Sequence, residues 1–146
     1  MEKYITLNDT SLNHLINNIK TEVKPSPIQG VGVFAIRDIE EGEQVFPKWE
    51  GETGIYIIPN EVLSEIPKCT IDLMDRYFIN YENEFKLIRL FNGFNFISHT
   101  ISFCNSAYPN RENENMNTKG IALRNIKAGE EILEWYNFNL NLDNSK

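Results

Sequence analysis

The chain has 146 residues, of which 41% are apolar and 12% aromatic. That suits one hydrophobic core and leaves too little for a second, independent one. Its 14 Lys and Arg stand against 21 Asp and Glu, a formal charge of -7, which argues against direct binding of a nucleic-acid backbone. An acidic balance speaks first for solubility and second for basic partners. No apolar run approaches membrane-spanning length, and Met1-Glu2-Lys3-Tyr4 opens no apolar export segment. Cys69 and Cys104 have neither zinc-ligand spacing nor the density of a disulfide scaffold, and His14 and His99 are too few and scattered for a metal cluster. The expectation is a soluble domain of a cytoplasmic or other reducing intracellular compartment, with no metal, no membrane contact and no export signal.

In chain order, Lys3 to Leu7 reads as a short strand. Asp9 or Thr10 caps a helix that aligns Leu12, Leu15, Ile16 and Ile19 on one face. Lys24-Pro25-Ser26-Pro27 ends any helix and opens an extended stretch. Ala35-Ile36-Arg37-Asp38-Ile39-Glu40-Glu41-Gly42-Glu43 is then echoed by Ala122-Leu123-Arg124-Asn125-Ile126-Lys127-Ala128-Gly129-Glu130. Each copy reads as strand, glycine turn and strand, continuing over Gln44–Phe46 and Glu131–Leu133. The copies lie too far apart for a solenoid and predict small sheets of short strands.

Between the copies, Pro59-Asn60 starts a short helix over Glu61 to Ile66 that Pro67 stops. Tyr77-Phe78-Ile79 and Phe85-Lys86-Leu87-Ile88 read as a hairpin about Glu82-Asn83-Glu84. Phe91 to Phe103 has no clear period, and Arg111 to Thr118 reads as a polar surface loop. Asn137 to Lys146 is a polar tail, docked only through Phe138, Leu140 or Leu142.

Three short segments carry chemistry. Gly30-Val31-Gly32, within Ser26-Pro27-Ile28-Gln29-Gly30-Val31-Gly32-Val33-Phe34-Ala35, lets the backbone approach a ligand and present its peptide groups. No third glycine opens a helix, so it is no dinucleotide fingerprint, and alone it would be a tight turn. Asn105-Ser106-Ala107-Tyr108-Pro109-Asn110 offers an amide that both donates to and accepts from an adenine edge, aimed by a proline turn; alone it would be an Asx-turn. Gly129-Glu130-Glu131 leads through a strand to Trp135-Tyr136, and alone Tyr136 would be a packing aromatic.

In this order and spacing, the three segments resemble the SET-domain family of protein-lysine methyltransferases in compact form, from about Glu22 to Tyr136. The resemblance implies a mostly β (α+β) domain of the β-clip kind, with several short sheets, a few short helices and a knot-like threading of its C-terminal part. On that reading 1–21 is an N-terminal extension, 22–137 the SET-like domain and 138–146 a tail. By strand pattern alone, an ordinary sandwich or barrel is the alternative.

The resemblance also implies S-adenosyl-L-methionine as cofactor, held by Gly30, Val31, Gly32, Asn105, Ser106, Tyr136 and Phe138. Tyr136 becomes the catalytic residue, and Phe103, Tyr108 and Trp135 wall a substrate channel, with Phe94, Phe96 and Phe138 as further candidates. A narrow apolar channel would release the neutral amine of a lysine, whose unperturbed pKa is about 10.4. The implied partner is a lysine-bearing protein, histone-like proteins among the candidates; nothing in the pattern selects an oligomeric state.

The family's usual Asn-His-Ser-x-x-Pro-Asn is here one residue short, and no histidine follows Asn105. Taking Asn105 as the cofactor asparagine puts Ser106 at the histidine position. Counting back from Pro109-Asn110 puts Cys104 and Asn105 at the Asn and His positions instead, and Phe103-Cys104-Asn105 favours the first register. The alternative function is a catalytically inactive SET-like module that binds a peptide or protein, and a third reading is a small β-rich structural protein.

Overall fold

A computed structural model describes residues 4–47, 49–77, 80–81, 85–90 and 104–136. The order is β1 (Tyr4–Thr6), α1 (Asp9–Asn17), β2 (Thr21–Pro25), β3 (Val31–Ala35), β4 (Gly54–Pro59), α2 (Lys68–Tyr77), β5 (Asn80–Tyr81), β6 (Phe85–Leu90), β7 (Asn105–Ser106) and β8 (Leu133–Glu134), with short 3-10 turns at Asn60–Glu65 and Arg111–Asn113. Among the described residues the strands form three small sheets, β1-β4-β6-β5, β2-β3 and β7-β8. The expectation of short sheets with few helices holds. The chain folds as two units, 1–20 with 46–99 and 21–45 with 100–146.

In the first unit β4 is the centre of the larger sheet. It pairs parallel with β1 (Tyr4↔Ile55, Thr6↔Ile57) and antiparallel with β6 (Gly54↔Leu90, Pro59↔Phe85). Tyr56 and Ile58, two residues apart and hence on one face, are fully buried. Sequence reasoning assigned no element here, because an apolar run ending in proline has no period of its own. Helix α1 is capped one residue earlier than expected, by Asn8 in a reciprocal box with Ser11. Its buried face is Ser11, His14 and Leu15.

The helix expected over Glu61–Ile66 is a 3-10 turn over Asn60–Glu65 with no buried residue, too short to be an α-helix before Pro67. Pro67 then starts a helix that sequence reasoning missed. Its carbonyl accepts from Thr70 N and Ile71 N at 3.0 Å, and proline is tolerated there because first-turn N–H groups need no intrahelical partner. Thr70, Leu73 and Met74 form the buried stripe of α2. Tyr77 closes that helix, so the first arm of the hairpin is Asn80–Tyr81, in register Tyr81↔Phe85 and Asn80↔Lys86. Phe78, Ile79 and the turn Glu82–Glu84 lie outside the described residues.

The second unit rests on the internal echo, whose two copies pair with each other rather than folding separately. Ile39 and Ile126 exchange backbone hydrogen bonds of 2.7 Å in both directions. The flanking backbone contacts come in matched pairs. Ala35 N donates to Glu130 O and Ala122 N to Glu43 O, both at 2.9 Å. Gly129 N donates to Ala35 O and Gly42 N to Ala122 O, both at 2.8 Å. Asp38 Oδ1 accepts from Ala128 N, and Asn125 Oδ1 from Glu41 N. Within each turn a glutamate caps its own loop, Glu43 Oε1 on Glu40 N and Glu130 Oε1 on Lys127 N. A local two-fold axis therefore passes between Ile39 and Ile126, both about 1% exposed. The reason is general: a single two-stranded unit is marginal in water, and pairing two of them satisfies their backbone groups and buries both isoleucines.

Gly42 (φ 91) and Gly129 (φ 94) occupy equivalent turn positions where a side chain is strained though space is open. Gly42→Ala and Gly129→Ala are therefore expected to cost about 1–2 kcal/mol each, with equal falls in the urea midpoint. A neutral substitution at either site would break the equivalence.

His14 in the first unit yields a second expectation. The Asn18 amide meets its Nδ1 at 3.2 Å, its Nε2 is buried with no hydrogen-bond partner among the described residues, and its ring centroid lies 5.0 Å from that of Trp49. Burial lowers its pKa from 6.5 to about 4, because the charged imidazolium has lost its water. The folded state thus favours neutral His14. Its stabilising contribution is complete above pH 6.5 and is lost as pH falls toward 4, up to about 3 kcal/mol. Thermal unfolding of His14→Phe should show a shallower decline from pH 6.5 to 4 than the natural chain, and an identical slope would sink this assignment.

Candidate active site

The three motif segments all belong to the second unit. Ser26 to Gly30 is the loop of the β2-β3 hairpin, closed by Ser26 N on Gly30 O at 2.9 Å, and Gly30 takes φ +49 at its end. A Cβ at Gly30 would meet nothing within 4 Å among the described residues, so within the fold its glycine answers to the positive φ of the turn. Gly32 serves a contact. A Cβ there would come within 2.2 Å of Glu131 Oε2 and 3.1 Å of Asn105 Nδ2.

The space at Gly32 is taken by a polar cluster. Glu131 accepts from Ser26 Oγ at 3.0 Å (Oε1) and 2.9 Å (Oε2), and its Oε2 also accepts from Asn105 Nδ2 at 2.9 Å. The same amide nitrogen reaches Gln29 O at 3.1 Å and Val31 O at 3.2 Å. An amide nitrogen has two hydrogens, and three acceptors converge on it here. Among the described residues the cluster is rich in acceptors and short of donors, which suits a cationic group.

Asn105 and Ser106 form β7, parallel to β8 in the register Asn105↔Leu133 and Ser106↔Glu134. That pairing carries Tyr136 to the asparagine segment, and its phenol donates to Cys104 O at 3.0 Å. Burial, then Glu134 and Cys104, push the Tyr136 phenol above its ordinary pKa. Burial, then Glu114, likewise push Glu134 up. Cys104, 2% exposed, is a free thiol raised by burial and by Glu134 and Glu131. The Tyr136 phenol and the Cys104 thiol are therefore both neutral at physiological pH.

Tyr108 and Trp135 meet at 5.5 Å between ring centroids, with Arg111 4.7 Å over the Trp135 ring and ion-paired to Glu114 at 3.1 Å. Tyr108 and Val31 are about half exposed (47% and 50%), while Asn105 is buried. Gly30, Val31, Gly32, Asn105 and Glu131 thus come together on one side, and Ser106, Tyr108, Trp135 and Tyr136 on the β7-β8 side. Phe103 and Phe138, with Phe94, Phe96, His99, Leu140 and Leu142, lie outside the described residues.

Two residues escaped sequence reasoning. Glu131 was visible as part of Gly-Glu-Glu but had no role. Asn115 sat in the presumed surface loop, yet it is 1% exposed. Its amide spans the last strand, with Nδ2 on Glu131 O at 2.9 Å and Oδ1 accepting from Leu133 N at 2.8 Å. The available signal was Met116, an apolar residue in a run of Asn and Glu, which is fully buried and turns the loop inward.

Gly32→Ala is expected to destabilise by about 1–3 kcal/mol, since the new methyl overlaps a fixed carboxylate. Adding Glu131→Ala should recover part of that loss in a double-mutant cycle read by urea unfolding. Strictly additive costs would show that the two side chains do not compete for this space.

A SET domain family model matches residues 30–137 of the chain. No curated protein matches it. Among solved structures, it is similar to a Plasmodium falciparum protein named a putative histone methyltransferase, at 23% identity and a TM-score of 0.37, covering 84% of this chain and 96% of that one. It is also similar to a humanized mutant of the Chaetomium thermophilum Polycomb Repressive Complex 2 bound to the inhibitor GSK126, at 22% identity and a TM-score of 0.39, covering 84% of this chain and 15% of that one. Similarity at this level leaves the assignment to the family match. That match spans well over half of the sequence and contains all three motif segments, and the chain belongs to the SET domain family.

Proposed function

We propose that the chain transfers a methyl group from S-adenosylmethionine to the side-chain amine of a lysine in a protein substrate. The observation that carries this reading is the Tyr136 phenol, half-buried, neutral as an ordinary tyrosine is, and donating to Cys104 O at 3.0 Å. Toward other groups its oxygen then acts as an acceptor, suited to orienting an amine and to stabilising positive charge that develops on nitrogen. The acceptor cluster of Gln29 O, Val31 O and Glu131 around the Asn105 amide fits a cofactor that carries an ammonium. Gly30, Val31, Gly32 and Asn105 would hold it together with the backbone of Ser106, whose hydroxyl is engaged by Tyr136 and Tyr108, and when bound it supplies a methyl on positively charged sulfur.

The chain's own residues would do the rest. Tyr108 and Trp135 would line the approach and exclude water, favouring the neutral amine of the lysine over its ammonium. Holding the amine against the reacting carbon removes much of the entropic barrier. The knot-like passage of the C-terminal part belongs to this proposal, and the parallel β7-β8 pairing supports it. The SET-like span 22–137, a histone-like protein as one candidate substrate and a reducing intracellular compartment are part of the same proposal.

One observation favours an inactive peptide- or protein-binding module. The Asn105 amide is already engaged by the chain's own carbonyls and carboxylate, and Ser106 stands where the family carries histidine. Transfer of radiolabelled methyl to lysate proteins, with calorimetric titration of S-adenosylmethionine, separates the two. An enzyme is expected to bind cofactor, and Tyr136→Phe to lower transfer by about 100-fold or more with affinity within a few-fold. Cofactor binding without transfer, or no binding, would move the chain to the module reading.

A further inference from the structure

Among the described residues the β7-β8 ladder has two register pairs, and its last backbone bond runs from Ala107 N to Glu134 O at 2.8 Å. There the first strand turns away through Tyr108-Pro109, with Asn110 N closing on Ala107 O at 2.9 Å. The ladder ends two residues short of Tyr136. What continues it is a side chain. Ser106 Oγ donates to Tyr136 O, accepts from Tyr136 N at 3.0 Å, and accepts from Tyr108 N at 3.0 Å. A hydroxyl has one hydrogen and two lone pairs, so these three contacts use its whole capacity.

Tyr136 is thereby fastened at both ends by the segment that carries Asn105. Its phenol is held by Cys104 O and its main chain by Ser106 Oγ, from the residues on either side of Asn105. The hydroxyl also ties Tyr136 to Tyr108, whose ring faces Trp135. An imidazole at this position has no hydroxyl, and its nitrogens stand one bond farther from the backbone, so it could not clasp both the N–H and C=O of one residue.

We propose that Ser106 is a positioning residue. Its hydroxyl replaces the missing rungs of the β7-β8 ladder, fixing the Tyr136 main chain and, through it, the place of the phenol oxygen. The inference rests on the methyl-transfer reading for its consequence and on hydrogen-bond geometry for its substance. It also gives the departure from the family's histidine a physical purpose. The serine supplies a backbone clamp at a point where the strand pairing has run out.

The experiment compares Ser106→Ala with Ser106→Thr, which keeps a hydroxyl on the same carbon. Loss of the clamp lets the phenol drift from the reacting atoms without removing a ligand contact. Ser106→Ala should therefore lower kcat by about 10- to 100-fold with both KM values within about threefold, and Ser106→Thr should recover most of the rate. An independent arm uses the protein labelled with 3-fluorotyrosine, in which the Tyr136 resonance is assigned by its loss in Tyr136→Phe. That resonance should shift in Ser106→Ala and return in Ser106→Thr.

An unmoved Tyr136 resonance in Ser106→Ala, or a loss of rate that threonine does not restore, overturns the proposal. If the natural chain transfers no methyl, the functional reading falls, and the fluorine resonance alone decides whether Ser106 positions Tyr136. Should Ser106→Ala fail to fold, Ser106→Cys takes its place in both arms, because a thiol is a weak donor and acceptor.

Discussion

The reciprocal clasp of two glycine turns, centred on Ile39 and Ile126, is the constraint from which the rest of the second unit follows. Its outer bonds tie Ala35 to Glu130 and Gly129, which brings the end of β3 against the start of the last segment. Ile132 N then donates to Val33 O at 2.7 Å, and Phe34 bridges Glu131. The carboxylate of Glu131 lands beneath Gly32 as a consequence, and the Asn105 amide meets it there. Geometry at the motif residues is thus inherited from a pairing that contains none of the presumed ligand-binding side chains.

Short strands create a second problem, and side chains solve it. Two-residue strands cannot fix a register through backbone bonds alone. Asn115 bridges Glu131 and Leu133 from one side, and Ser106 holds Tyr136 from the other. Glu131 gathers Ser26 and Asn105 across a long stretch of sequence. A buried polar network of this kind rigidifies when every member is paired and is costly when one is removed. The polar residues of this unit therefore do work that a longer sheet would leave to the backbone.

Legibility in the sequence followed the range of the interaction. Strand β1 and helix α1 were readable because a short apolar run and an aligned face are local signals, although Asn8 rather than Asp9 or Thr10 makes the cap. The break at Pro25 was readable because proline restricts its own backbone, but the extended strand ends there rather than beginning, and Ser26–Gly30 is a hairpin loop. The same proline logic misled at Pro67, which stops the 3-10 turn and also opens α2. Strand β4 went unread because its six residues carry a face set by its neighbours. Tyr77 was given to a strand because a β-prone aromatic at a helix end resembles a strand start.

The sequence by itself determined the family, through three motifs in fixed order, and it determined the two glycine turns, because positive φ and a capping carboxylate are properties of a few adjacent residues. Only tertiary structure decided that those turns clasp each other, that Glu131 fills the space of Gly32, and that Ser106 grips the main chain of Tyr136. Each of these joins residues 30 or more positions apart. No local propensity encodes such a contact, because its free energy exists only when distant groups leave water together.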